Sequence, residues 1–359
     1  MKLCFYYSTL NDSQNASLFG SMYASFFSEI EKQNINVIFT TDINKIEGDI
    51  LVLSIGGGLE PTAAKAMHKF KGPVILNIHN AYICFYKSFL KRWKSRVLFA
   101  YSTDYANLNY TKYASVNIPY YHFPFASDEN VFFPLSIEKK YDIVFLGNGN
   151  SGFGRDQYIN FLMDYVKKHN LKIFLAGAGW EKYGFPYRII ESGKQTNFIY
   201  NSSKICVNIH NDRQYLGIDK EMDANNRLFD LAMAQCCQIS NGEQMILKYF
   251  DKNEVVTADE PTEWINKIDY YLTHSEEREE VAFKAHKRAL KEHTWQIRAT
   301  NFIQFIDENY PKYASRNQKV NMFILILRYL DQFILPTYQL KEIRIIRFFL
   351  KKMGLYVFK

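Results

Sequence analysis

Short apolar runs alternate with stretches of helical periodicity along the first hundred residues of the chain. Runs of this length indicate buried strands, and the helices between them indicate a parallel sheet with helices on its faces. The predicted strands are residues 3–8, 36–41, 49–54, 73–79 and 96–102, and the predicted helices are residues 16–32 and 61–70.

The alternation stops at FPFASDENVFFPL (residues 123–135) and then begins again. Prolines and polar residues in this segment indicate a crossing between two domains. Ligands of parallel sheets bind beyond the carboxyl ends of the strands, so two facing domains would share a cleft there. The sequence therefore predicts an α/β protein with two domains in tandem, residues 1–135 and 136–311. Strands are predicted in the second domain at residues 141–147, 171–177, 204–210 and 236–240, and helices at 155–169, 225–235, 260–272 and 275–306.

The end of the chain is a basic tail. Residues 312–359 contain ten Lys and Arg and two acids, a net charge of +8, whereas the whole chain carries +7 and the remaining residues therefore −1. The nearly neutral body argues against a nucleic-acid partner. Apolar residues recur at helical spacing in 320–335 and 340–358. We predict a helical, amphipathic tail that lies on an anionic membrane surface. The alternative is a helix that packs back on the first domain and exposes its cations to water.

The cysteines indicate whether the protein works in a reducing or an oxidising compartment. The chain has five cysteines, which form no CxxC pair and no metal-ligand spacing. Scattered thiols of this kind indicate a reducing compartment. The sequence also shows neither a secretory signal nor an uninterrupted apolar stretch long enough to span a bilayer. We therefore predict a cytoplasmic protein that associates peripherally with the inner face of the membrane.

A glycine-rich turn, LGNGNSGFGRDQ (residues 146–157), follows the first predicted strand of the second domain. Gly147 and the glycines after it would let backbone N–H groups approach a phosphate, and Arg155 would add positive charge. The spacing matches neither the dinucleotide fingerprint nor a P-loop, so a turn without a ligand is the alternative. His79 and His210 each end a predicted strand and are further candidate site residues. For each, the alternative is a structural, hydrogen-bonded histidine.

The stretch ANNRLFDLAMAQCCQIS (residues 224–240) starts a helix with two amides and an arginine, followed by an acid. A helix start offers free N–H groups and the positive end of the helix dipole. Arg227 would add a planar fork suited to phosphate oxygens, and Asp230 would accept hydrogen bonds from ribose hydroxyls. The alternative is that Asn225 only caps the helix and Arg227 pairs with a neighbouring acid.

Five segments, taken in order, resemble the group 1 glycosyltransferases, in particular the branch related to the spore-maturation protein CgeB. The resemblance implies the GT-B fold, in which two facing Rossmann-like domains enclose a nucleotide-sugar donor in an inter-domain cleft. It also implies transfer of the donor sugar to an acceptor with retention of configuration, without a metal or another cofactor. The segments lie within residues 100–306 and are YYHFPFASDENVFFP, YDIVFLGNGNSGFGRDQYINFL, SKICVNIHND, NNRLFDLAMAQCCQIS and REEVAFKAHKRALKEHTWQIR.

Carried over by position, the resemblance assigns Asp230 to the ribose and both Asn226 and Arg227 to the diphosphate. It matches Arg155 to the arginine after the glycine turn and places His79 near the donor sugar. His79 and Arg227 are thus the predicted catalytic residues. The predicted substrate-binding residues are Gly147, Arg155, His210, Asn225, Asn226, Arg227 and Asp230, and no metal ligand is predicted.

The chain departs from the family pattern in three places. Asp230 stands where a glutamate is usual. The usual glycine after the helix is replaced near Gln235 and Cys236, and Met222 stands where relatives often have a second glutamate.

We predict a glycosyltransferase that moves a sugar from a nucleotide diphosphate sugar to a glycan or lipid-linked acceptor, in the synthesis of cell-surface polysaccharide or glycoconjugates. One alternative is a surface or coat protein that keeps the fold without the activity. The other is a transferase that moves a polyol phosphate from a nucleotide carrier.

Overall fold

The chain folds into two compact units. A computed structural model describes residues 1–7, 23–55, 60–78, 86–103, 118–149, 154–210, 224–316 and 320–333. The first unit combines Met1–Pro124 with Arg298–Lys359, and the second is Phe125–Ile297. The chain therefore leaves the first unit at the predicted crossing and returns to it near the end, whereas the sequence predicts residues 136–311 as one domain.

The first unit contains a six-stranded sheet in which every pair of neighbours is parallel. Its strands are near-continuous apolar runs, as expected for a sheet covered on both faces. The order is β2-β1-β3-β4-β5-β6, with β1 (Lys2–Tyr6), β2 (Asn36–Thr40), β3 (Ile50–Ile55), β4 (Val74–Ile78), β5 (Val97–Ser102) and β6 (Tyr120–His122). The helices between these strands are α1 (Ala24–Glu31), α2 (Glu60–Lys69) and α3 (Tyr86–Trp93).

Alternate side chains of this sheet face two different layers. Leu51 and Leu76 belong to a buried cluster with Met67 of α2 and Trp93 of α3. Phe99 points to the other face, where its ring centroid lies 5.7 Å from that of Phe302 in an edge-to-face contact. Because successive side chains of a strand point to opposite faces, the core of this unit is divided into two layers, and the layer that contains Phe99 and Phe302 is built of packed aromatic rings.

The second unit contains a five-stranded parallel sheet. Its order is β11-β10-β9-β7-β8, with β7 (Tyr141–Leu146), β8 (Ile173–Ala176), β9 (Ser203–Asn208), β10 (Gln238–Ser240) and β11 (Val256–Thr257). The helices are α4 (Arg155–His169), α5 (Gly193–Asn201), α6 (Asn226–Met233), α7 (Glu243–Ile246), α8 (Pro261–Thr273) and α9 (Ser275–Glu292). Phe145 packs with Trp264 in one core cluster, and Val144 packs with Leu231 in another. The prediction of two parallel-sheet α/β domains is confirmed.

The predicted helix over residues 275–306 is two helices in the structure. α9 ends at Glu292, and α10 (Trp295–Arg316) begins after a short extended segment. In that segment the carbonyl of His293 accepts a hydrogen bond from the backbone N–H of Ser127, and Trp295 donates to the carbonyl of Ser127. These backbone groups bond to Ser127 instead of continuing a helix, which is why the helix is interrupted. The predicted start of the tail, residue 312, lies within α10.

The last described helix, α11 (Met322–Leu330), packs against the first unit on one side only. Asn321 caps it by accepting a hydrogen bond from the N–H of Ile324 at 2.9 Å. Leu327, Arg328 and Asp331 are buried. The predicted helix over residues 340–358 lies outside the described residues. No helix in the described part of the chain has both the length and the apolar character that crossing a membrane requires.

Candidate functional site

Two arginines of the second unit share one aromatic ring near the carboxyl end of β7. Cζ of Arg227 lies 5.2 Å from the ring centroid of Phe145, and Cζ of Arg155 lies 5.7 Å from it. Burial and then the charge of Arg227 lower the pKa of Arg155 to about 10. Neither arginine forms a salt bridge with an acid in the ranges that the structure describes. The site therefore brings together two positive charges, and no described carboxylate forms a salt bridge with either of them.

Gly147 makes room for one of these arginines. A Cβ atom at this position would lie 2.9 Å from Nη2 of Arg227, closer than side chains tolerate. The carbonyl of Gly147 accepts a hydrogen bond from Nε1 of Trp180 at 2.8 Å, which holds the turn in place. Nη2 of Arg155 donates to the carbonyl of the next residue, Asn148, at 3.1 Å. The predicted turn and Arg155 thus lie together, while residues 150–153 of the turn lie outside the described residues.

Asn208, the last residue of β9, connects the strand to the start of α6. Its Oδ1 accepts hydrogen bonds from Nη1 of Arg227 at 3.0 Å and from Nδ2 of Asn225 at 2.9 Å. Asn208 was not among the site residues predicted from the sequence. An asparagine directly after the apolar run of residues 205–207 was the sequence signal that could have found it.

Asn225 caps α6 and also belongs to this network. Its Oδ1 accepts a hydrogen bond from the N–H of Leu228 at 3.2 Å, while its Nδ2 donates to Asn208. The capping interpretation of Asn225 therefore holds. The alternative for Arg227, an ion pair with a neighbouring acid, does not occur among the described residues.

His210 is buried two residues beyond Asn208, with 4 % of its surface exposed. Its Nδ1 lies 3.1 Å from the carbonyl oxygen of Asn241, so Nδ1 carries the proton and Nε2 presents a lone pair. Burial and then the positive charge of Arg227 lower its pKa to about 3, with Arg155 adding to the effect. His210 is therefore a neutral acceptor beside two cations.

Asp230 is buried on the inner side of α6. Its Oδ1 accepts a hydrogen bond from Oγ of Ser127 at 2.8 Å, and its Oδ2 accepts a long one from Nδ2 of Asn226 at 3.4 Å. Burial raises its pKa to about 7, while the Ser127 bond and the charge of Arg227 act in the opposite direction. One carboxylate oxygen is thus fully engaged by the protein, and the other has only a weak partner.

Three buried side-chain atoms around Arg227 have no hydrogen-bond partner among the described residues: Nε of Arg155, Nδ2 of Asn208 and Nε2 of His210. A buried polar atom without a partner costs about 1–3 kcal/mol, so three in one place indicate a polar ligand site. Within the same described ranges, no group of three or more His, Cys, Asp or Glu could hold a metal ion. Predicted catalytic residue His79 lies outside the described residues, as does Met222.

Comparisons with known proteins agree with this geometry. Residues 155–304 match a family model described as "Glycosyl transferase-like", which is somewhat less than half of the chain. No curated protein matches the chain.

Several solved structures share the fold. T4 phage BGT, solved with UDP-glucose, is 14% identical with a TM-score of 0.59 and covers 87% of this chain and 99% of its own. Anabaena Alr3699/HepE with UDP-glucose is 10% identical, with a TM-score of 0.59, over 86% of this chain and 100% of its own. Sucrose-phosphate synthase of Thermosynechococcus elongatus is 9% identical, with a TM-score of 0.58, over 87% of this chain and 100% of its own.

At these identities the structural similarity shows the fold, which is the two-domain α/β fold of the GT-B glycosyltransferases. The family match starts at Arg155 and includes α6, and therefore contains both arginines of the site. The family match and the fold together support a glycosyltransferase.

Proposed function

We propose that the second unit binds the nucleoside diphosphate part of a UDP-sugar and that the chain transfers the sugar to an acceptor. The observation that carries this proposal is the pair of arginines over Phe145, which form no described salt bridge and lie among three buried polar atoms without a partner in the described part of the chain. Two similar structures were solved with UDP-glucose, which supports a uridine nucleotide as the donor.

The diphosphate is the group that this charge suits best. Arg227 presents a planar fork that can bind two phosphate oxygens, and Arg155 adds a second cation. When the bond between sugar and diphosphate breaks, negative charge develops on the leaving phosphate, and fixed cations stabilise it. Two arginines supply the charge that a divalent metal would otherwise supply, so the transfer is proposed to be metal-independent.

The remaining polar groups fit the nucleoside and the sugar. Nε2 of His210 accepts a hydrogen bond from a hydroxyl or N–H of the donor, and Nδ2 of Asn208 donates one. Asp230 offers its weakly bonded Oδ2 to the ribose hydroxyls, as the family resemblance implies. These assignments specify the hydrogen bonds that His210 and Asp230 would form with the donor, and they add Asn208 to the site.

The proposed family branch, stereochemistry, acceptor and location of the enzyme rest on the sequence alone. The CgeB-related branch, retention of configuration and a lipid-linked or glycan acceptor in cell-surface polysaccharide synthesis follow the segments that resemble that branch. The excess positive charge of residues 312–359 supports a cytoplasmic enzyme that works at an anionic membrane surface.

Calorimetric titration with UDP tests the donor site. Arg227→Gln should weaken UDP binding about 10-fold to 100-fold, because a charged hydrogen bond contributes about 1.5–3 kcal/mol. Arg188→Gln is the matched control, since Arg188 also lies over a ring, that of Phe174 at 5.0 Å, but outside the site. Equal UDP affinity of folded Arg227→Gln and wild-type protein would contradict the proposal.

Activity assays separate the alternatives. A glycosyltransferase should release UDP from UDP-glucose or a related UDP-sugar when membranes or glycan acceptors are added. Binding of UDP without any hydrolysis or transfer would favour the inactive surface protein. Transfer of a polyol phosphate with release of the nucleoside monophosphate would favour the polyol-phosphate transferase.

A further inference from the structure

We infer that the outward side of α11 is the surface with which the first unit docks on an anionic lipid bilayer. This surface, called the α11 face below, consists of Met322, Phe323, Leu325, Ile326, Tyr329, Leu330 and Phe333. The inference rests on the membrane association proposed above, but it assigns the contact to a described helix and fixes which side of the first unit meets the lipid.

The α11 face is exposed to an unusual degree for apolar side chains. Met322 is 72% exposed, Phe323 65%, Phe333 62% and Tyr329 57%. Six of these seven side chains lie on one side of α11, and the ring of Phe333, just after the helix, lies 5.3 Å from that of Tyr329, so the seven form a contiguous patch. Such patches on a folded protein mark an interaction surface.

The opposite side of α11 is fixed to the first unit by buried hydrogen bonds. Nε of Arg92 donates to Oδ2 of Asp331 at 2.9 Å, and Nε1 of Trp93 donates to the same oxygen at 2.8 Å. Nε of Arg328 donates to the carbonyl of Arg92 at 2.7 Å, and its Nη2 donates to Oγ of Ser95 at 2.8 Å. Asp331 and Arg328 are both buried. These bonds hold the helix against α3 with its apolar side outward.

A third contact comes from α2. Nε2 of His68 lies 3.1 Å from the backbone carbonyl of Arg328. Arg328 also stacks over the ring of Trp93, with Cζ 4.9 Å from the centroid. Two helices of the first unit therefore determine the orientation of α11, and the α11 face keeps a defined direction relative to that unit.

The positive charges near the α11 face indicate what kind of partner covers it. Lys91 and Lys94 are exposed next to the residues of α3 that hold α11. Residues 334–359, which follow the face directly, contain six Lys and Arg and one acid. A second copy of the chain would bring like charges together, whereas an anionic lipid surface would attract them and accept the apolar side chains. An anionic bilayer therefore fits both features.

The test is co-sedimentation of the full chain with vesicles of phosphatidylcholine mixed with phosphatidylglycerol. The double variant Phe323→Ser with Ile326→Ser should reduce vesicle binding about 10-fold or more, because it removes two exposed side chains from the interface. The matched control, Phe283→Ser with Leu290→Ser on α9, changes side chains that are 48% and 45% exposed and should bind like wild type. Vesicles of phosphatidylcholine alone should bind the wild-type chain more weakly.

Several outcomes would overturn the inference. Binding of the α11 variant equal to wild type would exclude this face, and so would failure of the wild-type chain to bind mixed vesicles. A wild-type dimer that the variant converts to a monomer in ultracentrifugation would identify a second copy as the occupant. UDP titration of the same variant separates the two proposals, because its affinity should be unchanged even where vesicle binding is lost.

Discussion

The position of the Arg227 guanidinium depends on the absence of a side chain at Gly147, because a Cβ there would lie 2.9 Å from Nη2 of Arg227. Gly147→Ala should therefore displace the end of a flexible side chain without unfolding the second unit. We expect UDP affinity to fall about 10-fold, since the displaced fork loses a charged hydrogen bond. Calorimetry and the thermal unfolding midpoint, measured on the same protein, check this. A normal affinity, or a loss explained by unfolding, would contradict it.

Asn208 is predicted to position Arg227 without neutralising it. Asn208→Asp keeps the size of the side chain but adds a negative charge 3.0 Å from the position of Nη1 of Arg227. The new carboxylate should form an ion pair with Arg227 and compete with the diphosphate, so UDP binding should weaken more than in Asn208→Ala. Calorimetric titration of both variants checks the order. If Asn208→Asp bound UDP better than Asn208→Ala, the anion site would lie elsewhere.

Most of the fold could be predicted from the sequence because the strands of parallel sheets are near-continuous apolar runs. β4 and β7, for example, lie within their predicted ranges to within one residue at either end. The missed strands, β6 and β11, span three and two residues and are too short to show a pattern. The break between α9 and α10 was also missed, because it depends on backbone bonds to Ser127, far away in the sequence.

Donor affinity should depend on pH through Asp230. Its pKa of about 7 in the folded protein lies above the ordinary 3.8, so ionised Asp230 becomes the main form only as the pH rises through 7. Because the ionised carboxylate is the better acceptor for ribose hydroxyls, we expect affinity for UDP-glucose to increase between about pH 6 and 8. Calorimetry across this range measures it, and Asp230→Asn should give a flat profile.

Ser127 provides the control for this titration. Its hydrogen bond lowers the pKa of Asp230, so Ser127→Ala should shift the midpoint of the profile to higher pH. The same raised pKa means that the folded state binds more protons than the unfolded state between pH 4 and 7, so stability should decrease as the pH rises through this window. A wild-type affinity that does not change with pH would remove Asp230 from the donor site.

Gln235 is predicted to be a strained residue that glycine would relieve. It has a φ of +53° and directly follows Ala234, the C-cap of α6. A side chain in the left-handed region costs about 1–2 kcal/mol, part of which is offset by the greater flexibility of unfolded glycine. Gln235→Gly should therefore raise the free energy of unfolding by up to about 1 kcal/mol in chemical denaturation.

The neighbouring residue gives the opposite expectation. Ala234 has a right-handed helical φ of −73°, so Ala234→Gly should destabilise by about 1 kcal/mol. If both glycine substitutions destabilised the protein equally, the conformation at Gln235 would carry no strain.

The structure brings together the charged residues that the sequence suggests for the candidate site, whereas Asn208, which connects them, was not predicted. Arg155, Arg227 and Gly147 follow strands or start helices, where local sequence patterns are informative. The role of Asn208 depends on the packing of β9 beside the start of α6, which brings together residues separated by 19 positions. Asp230 was predicted to face a ribose, but its bond to Ser127 is a long-range contact that no local pattern contains.

The first unit is built from two separate segments of the chain, which affects the order in which the two units can fold during synthesis on the ribosome. Phe26 and Phe99 pack against Phe302, so the aromatic layer of that unit is incomplete until the last part of the chain has emerged. The second unit is continuous from Phe125 to Ile297 and can complete its core earlier. Domains generally fold as units once their sequence is available, so the middle of this chain should fold first. The segment before Phe125 is made earlier than the second unit but must wait for the residues after Ile297, so it is the part most exposed to chaperones and proteases.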